Sequence, residues 1–345
     1  MIIVKTTLEQ KISKRPTLLD FKKILYLRGL TTGQADWNEI NRLEIGELGE
    51  EKFIELLKEN GKKHWVVLRN LWMHDFRSFE CDLILITNHC IYLFEIKNYR
   101  GRYVFQNASS KMDAIDMDYD CIQQARKSFV KTRKIIHQLS PDIPVKGALV
   151  FIGEKNQVSI ESSVEDIDIL TLTDLYVTIR EIANEEQYGN YPPLNVNQII
   201  QHLEKFEMID PFLPKPLNKN ELKKLRKGTY CDQCQSFKLQ IEKNYVICSC
   251  GLHEPREEAI VRMALEYGAL TYDRNFTAGN IVNFIDAQAS HGYVKKVLSE
   301  HFDCIKKNSF TYFEHSKPLY YKSVHDFSFD LPRKYYSERN IHMFK

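Results

Sequence analysis

At 345 residues, 43% hydrophobic and 27% charged, the chain has the make-up of a globular protein with material for two or three domains. Its formal charge of +2 is too small to mark the whole chain as a polyanion binder, so any basic surface must be local. It holds no run of about 18 apolar residues, so no transmembrane helix is expected, and its first residues MIIVKTTLEQKISKRP lack the apolar core and cleavage site of a secretory signal, so a cytoplasmic location is expected.

Residues 8–60 read as helices. TLLDFKKILYLRGL spaces its apolar positions helically. LEIGELGEEKFIELLKENG does so through Ile45, Leu48, Phe53, Leu56 and Leu57, and it stops at Gly61. HWVVLRNLWM reads as a strand, and residues 82–97 as a pair of strands. DYDCIQQARKSFVKTRKIIHQL is helical and stops before Pro141. VKGALVFIG reads as a buried strand, and IDILTLTDLYVTIREIA as a strand followed by a helix. The segment DPFLPKPLNKNELKKLRKG carries three prolines and then a basic run, which marks a linker at 211–228. Helical segments follow near 255–267, 277–286 and 290–301, and CIKKNSFTYFEHSKPLYYKS alternates like a β-hairpin.

Within CDLILITNHCIYLFEIKNYRG, residues Asn88 and His89 suit a two-residue turn, because Asn tolerates positive φ. Thr87 then faces Cys90, and Asp82 faces Glu95, with cross-strand neighbours about 4.5–5.5 Å apart. Lys97 follows Glu95 by two residues and points to the same face. Two adjacent carboxylates repel each other unless a cation lies between them. Asp and Glu oxygens suit a hard ion such as Mg²⁺ or Mn²⁺, and a nearby lysine can act on water or on developing negative charge at phosphorus. These are the parts of phosphodiester hydrolysis. The plainer reading of an isolated Glu-x-Lys is a solvated ion pair at a strand end, with Asp82 in a turn.

GELGE on a helix, then CDLILI, then LFEIKNYRG, then a helix with QQAR, resembles the nuclease-related domain (NERD) family over roughly residues 40–180. That family belongs to the restriction-endonuclease-like nucleases with a PD-(D/E)xK core. The resemblance implies an α/β (α+β) core, a central mixed sheet flanked by helices, over residues 41–210. It implies Asp82, Glu95 and the carbonyl of Ile96 as ligands of a divalent metal, and Lys97 as the residue acting on water or transition-state charge. It implies Glu50 in the acidic cluster, with Glu47 as the alternative. It also implies Gln124 on the following helix, to which Gln123 is chemically equivalent. Gly101 would permit a sharp turn after the strand. Two positions depart from the family pattern: Glu80-Cys81-Asp82 stands where Glu-Ile-Asp is usual, and Asp120-Cys121 where Asn-Pro is usual.

Of eight cysteines, Cys81, Cys90, Cys121 and Cys304 are scattered and read as reduced, partly buried thiols. Cys231, Cys234, Cys248 and Cys250 form C-x2-C, thirteen residues, then C-x-C. The segment between alternates like two strands around 242–244. That is a zinc-ribbon layout over residues 229–254, and four thiolates suit a closed tetrahedral Zn²⁺ site. His253 is an alternative ligand. Residues 255–345 offer three helices and a hairpin, which resembles a winged helix. In such a domain His291, Tyr293, Lys295 and Lys296 would lie near DNA, with Lys306, Lys307, Lys317 and Lys322 on phosphates. The tail from Tyr320 onward mixes aromatics with cations. Those aromatics read as docking onto the domain, with base stacking as the other use.

The expected organisation is a helical extension (1–40), a nuclease domain (41–210), a basic linker (211–228), a zinc ribbon (229–254) and a DNA-binding module (255–345). The expected activity is Mg²⁺-dependent hydrolysis of DNA, in DNA processing or defence against foreign DNA. A homodimer or larger complex would ease cutting of both strands. The rivals are a non-cleaving nucleic-acid-binding protein and a zinc-ribbon adaptor.

Overall fold

The computed structural model describes residues 3–5, 18–106, 109–117, 120–161, 164, 166–189, 192–208, 210–212, 214–271, 276–307 and 310–314. In chain order these form β1 (Ile3–Lys5), α1 (Leu18–Leu27), α2 (Gln34–Asn60), β2 (Val66–Asp75), β3 (Arg77–Ile86) and β4 (Ile91–Lys97). Next come β5 (Gly101–Gln106), β6 (Ser109–Met112), β7 (Ile115–Asp116), α3 (Cys121–Leu139), β8 (Val145–Phe151), β9 (Asn156–Ile160) and β10 (Asp168–Thr171). They are followed by α4 (Leu172–Tyr188), α5 (Val196–Leu203), α6 (Lys219–Lys224), β11 (Leu239–Ile241), β12 (Tyr245–Cys248) and β13 (His253–Pro255). The last are α7 (Arg256–Thr271), α8 (Ala278–Phe284), α9 (His291–His301), β14 (Asp303–Lys307) and β15 (Phe310–Glu314). The helix expected to begin near residue 8 lies outside the described residues until Leu18.

The chain divides into two compact units, residues 1–9 with 41–211, and residues 10–40 with 212–345. The first is a mixed α/β unit. Its main sheet runs β1-β2-β3-β4-β8-β10, antiparallel across β2, β3 and β4 and parallel elsewhere. One face is covered by α3, through Ile122, Ala125 and Phe129, and by α5, through Ile199, Ile200 and Leu203. The other is covered by Phe53, Leu56 and Leu57 of α2 and by Leu175 and Ile179 of α4. Because both faces are buried, β4 and β8 read as nearly continuous apolar runs rather than alternating ones. A second sheet, β7-β6-β5-β9, adds Tyr103 and Phe105 to the α3 side.

One irregularity sets up the site. In β2, Val66 and Leu68 face the α3 layer, but so do Leu71 and Met73; in β3, Phe79 and Cys81 face it, but so do Ile84 and Ile86. Strict alternation forbids both sets. Each strand therefore slips by one position at the same place, Asn70 in β2 and Asp82 in β3. Asn70 takes φ 51°, which makes the slip feasible. Both residues thereby turn toward the α2 side.

The second unit contains the three-stranded sheet β11-β12-β13, the helices α1 and α7–α9, and the pair β14–β15. Its core joins Phe21 and Ile24 of α1 to Ile260, Met263 and Leu298. A fully buried ion pair between Arg28 and Glu266 lies within it. Arg28 also donates to the carbonyl of Arg226 at 2.7 Å and stacks 3.9 Å from the Phe284 ring, while Tyr230 donates to Glu266 at 2.9 Å. The charges are matched one to one, and further hydrogen bonds offset their desolvation.

Asn70→Val is expected to destabilise the protein by about 1–3 kcal/mol, because a β-branched residue does not tolerate positive φ, with Asn70→Gly much milder. Chemical denaturation of both variants checks this, and equal losses would count against the strained-turn account.

Candidate active site

The β3–β4 hairpin turns at Asn88–His89, where the Thr87 amide donates to the Cys90 carbonyl at 3.1 Å. Its ladder pairs Ile86 with Ile91 and continues to Leu83 opposite Phe94, which carries Asp82 opposite Glu95. There the strands part. The Ile96 amide donates to Asp82 Oδ2 at 2.8 Å, so a side chain occupies the gap where the next backbone bond would form. In an extended strand the N–H and C=O of one residue point to the same edge. The carbonyl of Ile96 therefore faces the Asp82 gap. The neighbouring carbonyl of Lys97 faces β8 instead and accepts from Ile152 at 3.0 Å.

Glu95 and Lys97 project toward α3, whereas Asp82 turns toward the α2 side. The three therefore do not share one face as the strand period predicts, and the slip in β3 at Asp82 is the reason. Lys97 Nζ lies 2.7 Å from Glu95 Oε1 and donates to Gln124 Oε1 at 3.2 Å. Gln124, rather than Gln123, is thus brought to the cluster. Helix α3 begins at Cys121 with Asp120 as N-cap, its carboxylate accepting from the Ile122 amide at 2.9 Å. The Asp-Cys departure from the family pattern therefore still yields a capped helix start. On the opposite face, Gly49 lets α2 approach β4 closely, since a Cβ there would meet the Asn98 side chain at 2.7 Å. Asn98 returns a bond to the Ile45 carbonyl at 2.7 Å. Glu50, the next residue, is held by Arg69 at 3.2 Å. Glu47 is exposed. Gly101 takes φ 97° immediately after the strand.

Sequence reasoning gave Glu80 no role, although its i, i+2 relation to Asp82 places both on one side of β3. Burial pushes the Glu80 carboxyl well up, and Asp82, Glu50, Asp210 and Glu95 add to it. Burial, then the Asp82 charge, raises Glu50 to about 7 against the pull of Arg69. Burial and then Asp82 also raise Glu95 to about 7, against Lys97. Burial raises Asp82 as well, opposed by Lys97 and the Ile96 amide. Burial alone would lower the Lys97 amine, but Glu95 and Asp82 outweigh it and hold it above the ordinary lysine range. Four crowded carboxyls face two cations, Lys97 and Arg69. Two carboxylates, Asp82 and Glu95, with the Ile96 carbonyl are oxygen donors of the kind a hard divalent ion takes, although among the described residues no three of the carboxylates are gathered within 4.8 Å of one another.

The Cys231, Cys234, Cys248 and Cys250 sulfurs all lie within 4.8 Å of one another. The Cys231–Cys250 and Cys234–Cys248 separations are 3.5 and 3.4 Å. Thiolates bound at about 2.3 Å in a tetrahedron would be about 3.8 Å apart, so the cluster fits zinc. The Cys250 backbone amide, ahead of lesser influences, lowers the Cys248 thiol to about 7. Strands β11 and β12 form the hairpin between the two cysteine pairs, and His253 lies in β13 outside this group. Among the described residues, no other set of three or more Cys, His, Asp or Glu ligand atoms is gathered so closely.

His291, Lys295 and Lys296 are exposed on α9, where Lys296 lies 3.7 Å from Glu300. Tyr293 is half-buried with the Arg256 guanidinium 5.3 Å from its ring. Lys306 and Lys307 lie in β14, and their side chains are outside the described part. Lys317, Lys322 and the tail also lie outside the described residues. Among the described residues no helix is long and apolar enough to cross a membrane.

The first unit thus presents a mixed sheet with helices on both faces and an Asp–Glu–Lys cluster where the β3–β4 hairpin splays. The sequence model of the NERD family, the nuclease-related domain, matches residues 45–152. The match points to a nuclease-related function for that stretch, and it takes in Glu50, Asp82, Glu95, Lys97 and Gln124. No curated protein and no solved structure matches the chain.

Without Mg²⁺ or Mn²⁺ the raised carboxyls favour the folded state below their unfolded value of 4.5, and that contribution is lost as pH rises through about 7. Glu80→Gln removes one of the crowding charges. Its Tm at pH 8 in such buffer is expected to exceed wild type by about 2–4 °C for each kcal/mol relieved, and to match it at pH 4. A lower Tm at pH 8 would contradict the crowding.

Proposed function

We propose that the first unit is a metal-dependent nuclease that hydrolyses phosphodiester bonds in DNA, working in the cytoplasm in DNA processing or defence. The convergence of Asp82, Glu95 and Lys97 at the point where β3 and β4 part carries the reading. Asp82, Glu95 and the Ile96 carbonyl would hold Mg²⁺ or Mn²⁺, with Glu50 completing the acidic wall. The ion when bound supplies positive charge against the phosphoryl oxygens and makes water a stronger nucleophile.

The protein's own groups do the rest. Lys97 keeps its proton, because Glu95 and Asp82 hold the amine above its ordinary range. This favours donation to a phosphoryl oxygen that gains charge in the transition state over removal of a proton from water. Gln124 accepts from Lys97 at 3.2 Å and so orients the ammonium. The Ile96 amide fixes one Asp82 oxygen and leaves the other for binding. In the second unit the four thiolates would hold a structural zinc, with no open position for chemistry. The helices and hairpin of residues 255–314 would supply DNA contacts through His291, Tyr293, Lys295 and Lys296.

Wild type is expected to cut labelled single- or double-stranded DNA with Mg²⁺ or Mn²⁺ and not with EDTA. Lys97→Ala and Asp82→Ala are expected to lower the rate about 100- to 1,000-fold while the zinc content stays unchanged. A folded, zinc-loaded wild type that binds DNA without cutting it would instead establish a non-cleaving binding protein. Purified protein is expected to carry about one zinc per chain, and Cys234→Ser to lose it together with thermal stability. Metal analysis and melting check this; a full zinc content in that variant would remove Cys234 from the ligand set.

A further inference from the structure

A single residue connects β2 to β3. Asp75 pairs with Arg77, and Phe76 between them takes φ 61°. Gly or Asn would be the ordinary occupant of such a turn, and a bulky residue there is an outlier. Phe76 is 88% exposed. It sits on a strained backbone and buries almost no surface.

Its surroundings are basic. Lys134 Nζ lies 5.0 Å from the Phe76 ring centroid, Lys131 Nζ lies 4.8 Å from the Phe79 ring, and Arg77 is exposed. Asp75, the acid at the tip, is matched by Lys134 at 2.9 Å. Gln124, Lys127, Lys131 and Lys134 recur at helical three-and-four spacing, so they share one side of α3. One end of this stripe is the bond from Lys97 to Gln124; the other is Phe76. In between, Ser128 donates to the Glu80 carbonyl at 2.8 Å, which keeps α3 alongside β3. Ten helical residues separate the ends by about 15 Å, roughly four stacked nucleotides at about 3.4 Å each.

We propose that this stripe is a binding track for single-stranded nucleic acid, with phosphates on Lys127, Lys131 and Arg77 and a base stacked on Phe76. Its relation to the cleavage site rests on the nuclease reading; its binding chemistry does not. A protruding ring needs an uncovered base face. A duplex hides its faces between neighbouring pairs, whereas a single strand, a flap or a frayed end offers them. The combination of a ring at one end and lysines along the approach suits stacking plus backbone attraction, which is tolerant of sequence.

The test uses the full-length protein without Mg²⁺, so that nothing turns over. Anisotropy measures binding of labelled dT and rU 12-mers and of a blunt hairpin duplex. Phe76→Ala is expected to weaken binding of at least one single strand by about 5- to 100-fold, with duplex binding and Tm little changed. Phe76→Trp is expected to restore it. The double substitution Lys127→Ala and Lys131→Ala should lower the salt slope for single strands by about 1.4. Single-strand binding that Phe76→Ala leaves at the wild-type level overturns the track. So does an equal loss on duplex and single strand, or a wild type that binds no single strand. A parallel cleavage assay with Mg²⁺, comparing wild type with Lys97→Ala, reports separately on the nuclease reading, which survives failure of the track if metal-dependent cutting persists.

Discussion

The Asp82 carboxylate accepts the Ile96 amide hydrogen at 2.8 Å, where the β3–β4 ladder gives out. The geometry of the first unit's site depends on this bond. Were the ladder to continue, the Ile96 amide and carbonyl would be engaged by a backbone neighbour and no gap would open. Replacing the backbone acceptor by a side chain keeps the amide satisfied while the strands part. Glu95 and Lys97 face α3, whereas Glu50 arrives on α2 from the opposite layer. The slip at Asn70 and Asp82 turns the aspartate toward that second layer. The gap is therefore where groups from both faces of the sheet can interact.

Crowded charge is the consequence. Glu50, Glu80, Asp82 and Glu95 all have raised carboxyl pKa values, and burial is the largest cause for each. The contrast with the second unit is instructive. Arg28 and Glu266 are also fully buried, but one charge meets one charge, Arg28 donates further to the Arg226 and Gly228 carbonyls and to the Met263 sulfur, and Tyr230 donates to Glu266. That arrangement is complete in itself. The site at β3–β4 carries an excess of acid in a confined space, which is costly for a merely structural cluster and useful for holding a cation against a phosphate. Lys97 belongs to both descriptions, as the counter-charge of Glu95 and as a protonated donor facing the same gap.

The strained turn at Phe76 and the strained residue Asn70 lie on the same pair of strands, yet they differ in kind. Asn70 is half-buried, and its positive φ serves the geometry around Asp82. Phe76 is almost wholly exposed, and its positive φ serves no packing beneath it. Helix α3 connects the two regions, because Gln124 and Lys134 are three helical turns apart on one side.

The sequence by itself determined the local elements. The Asn88-His89 turn placed Asp82 opposite Glu95, and the pairing of Leu83 with Phe94 follows that register. Turn chemistry and strand period are local properties, so they are readable in order along the chain. The same holds for the hairpin between the cysteine pairs, for α3 ending before Pro141, and for β10 running into α4. The small sheet β7-β6-β5-β9 was not legible. Its strands are short, and β9 joins β5 across a long separation. The grouping of residues 10–40 with 212–345 was equally hidden, since the Arg28–Glu266 pair spans most of the chain. Only the tertiary structure decided the broken alternation at Asn70 and Asp82, the choice of Gln124 over Gln123 beside Lys97, and the proximity of Glu80 and Asp210 to the cluster. Each depends on how two strands slip together or how a helix is rotated over a sheet. Packing sets those quantities, and neither hydrophobic period nor residue spacing records them.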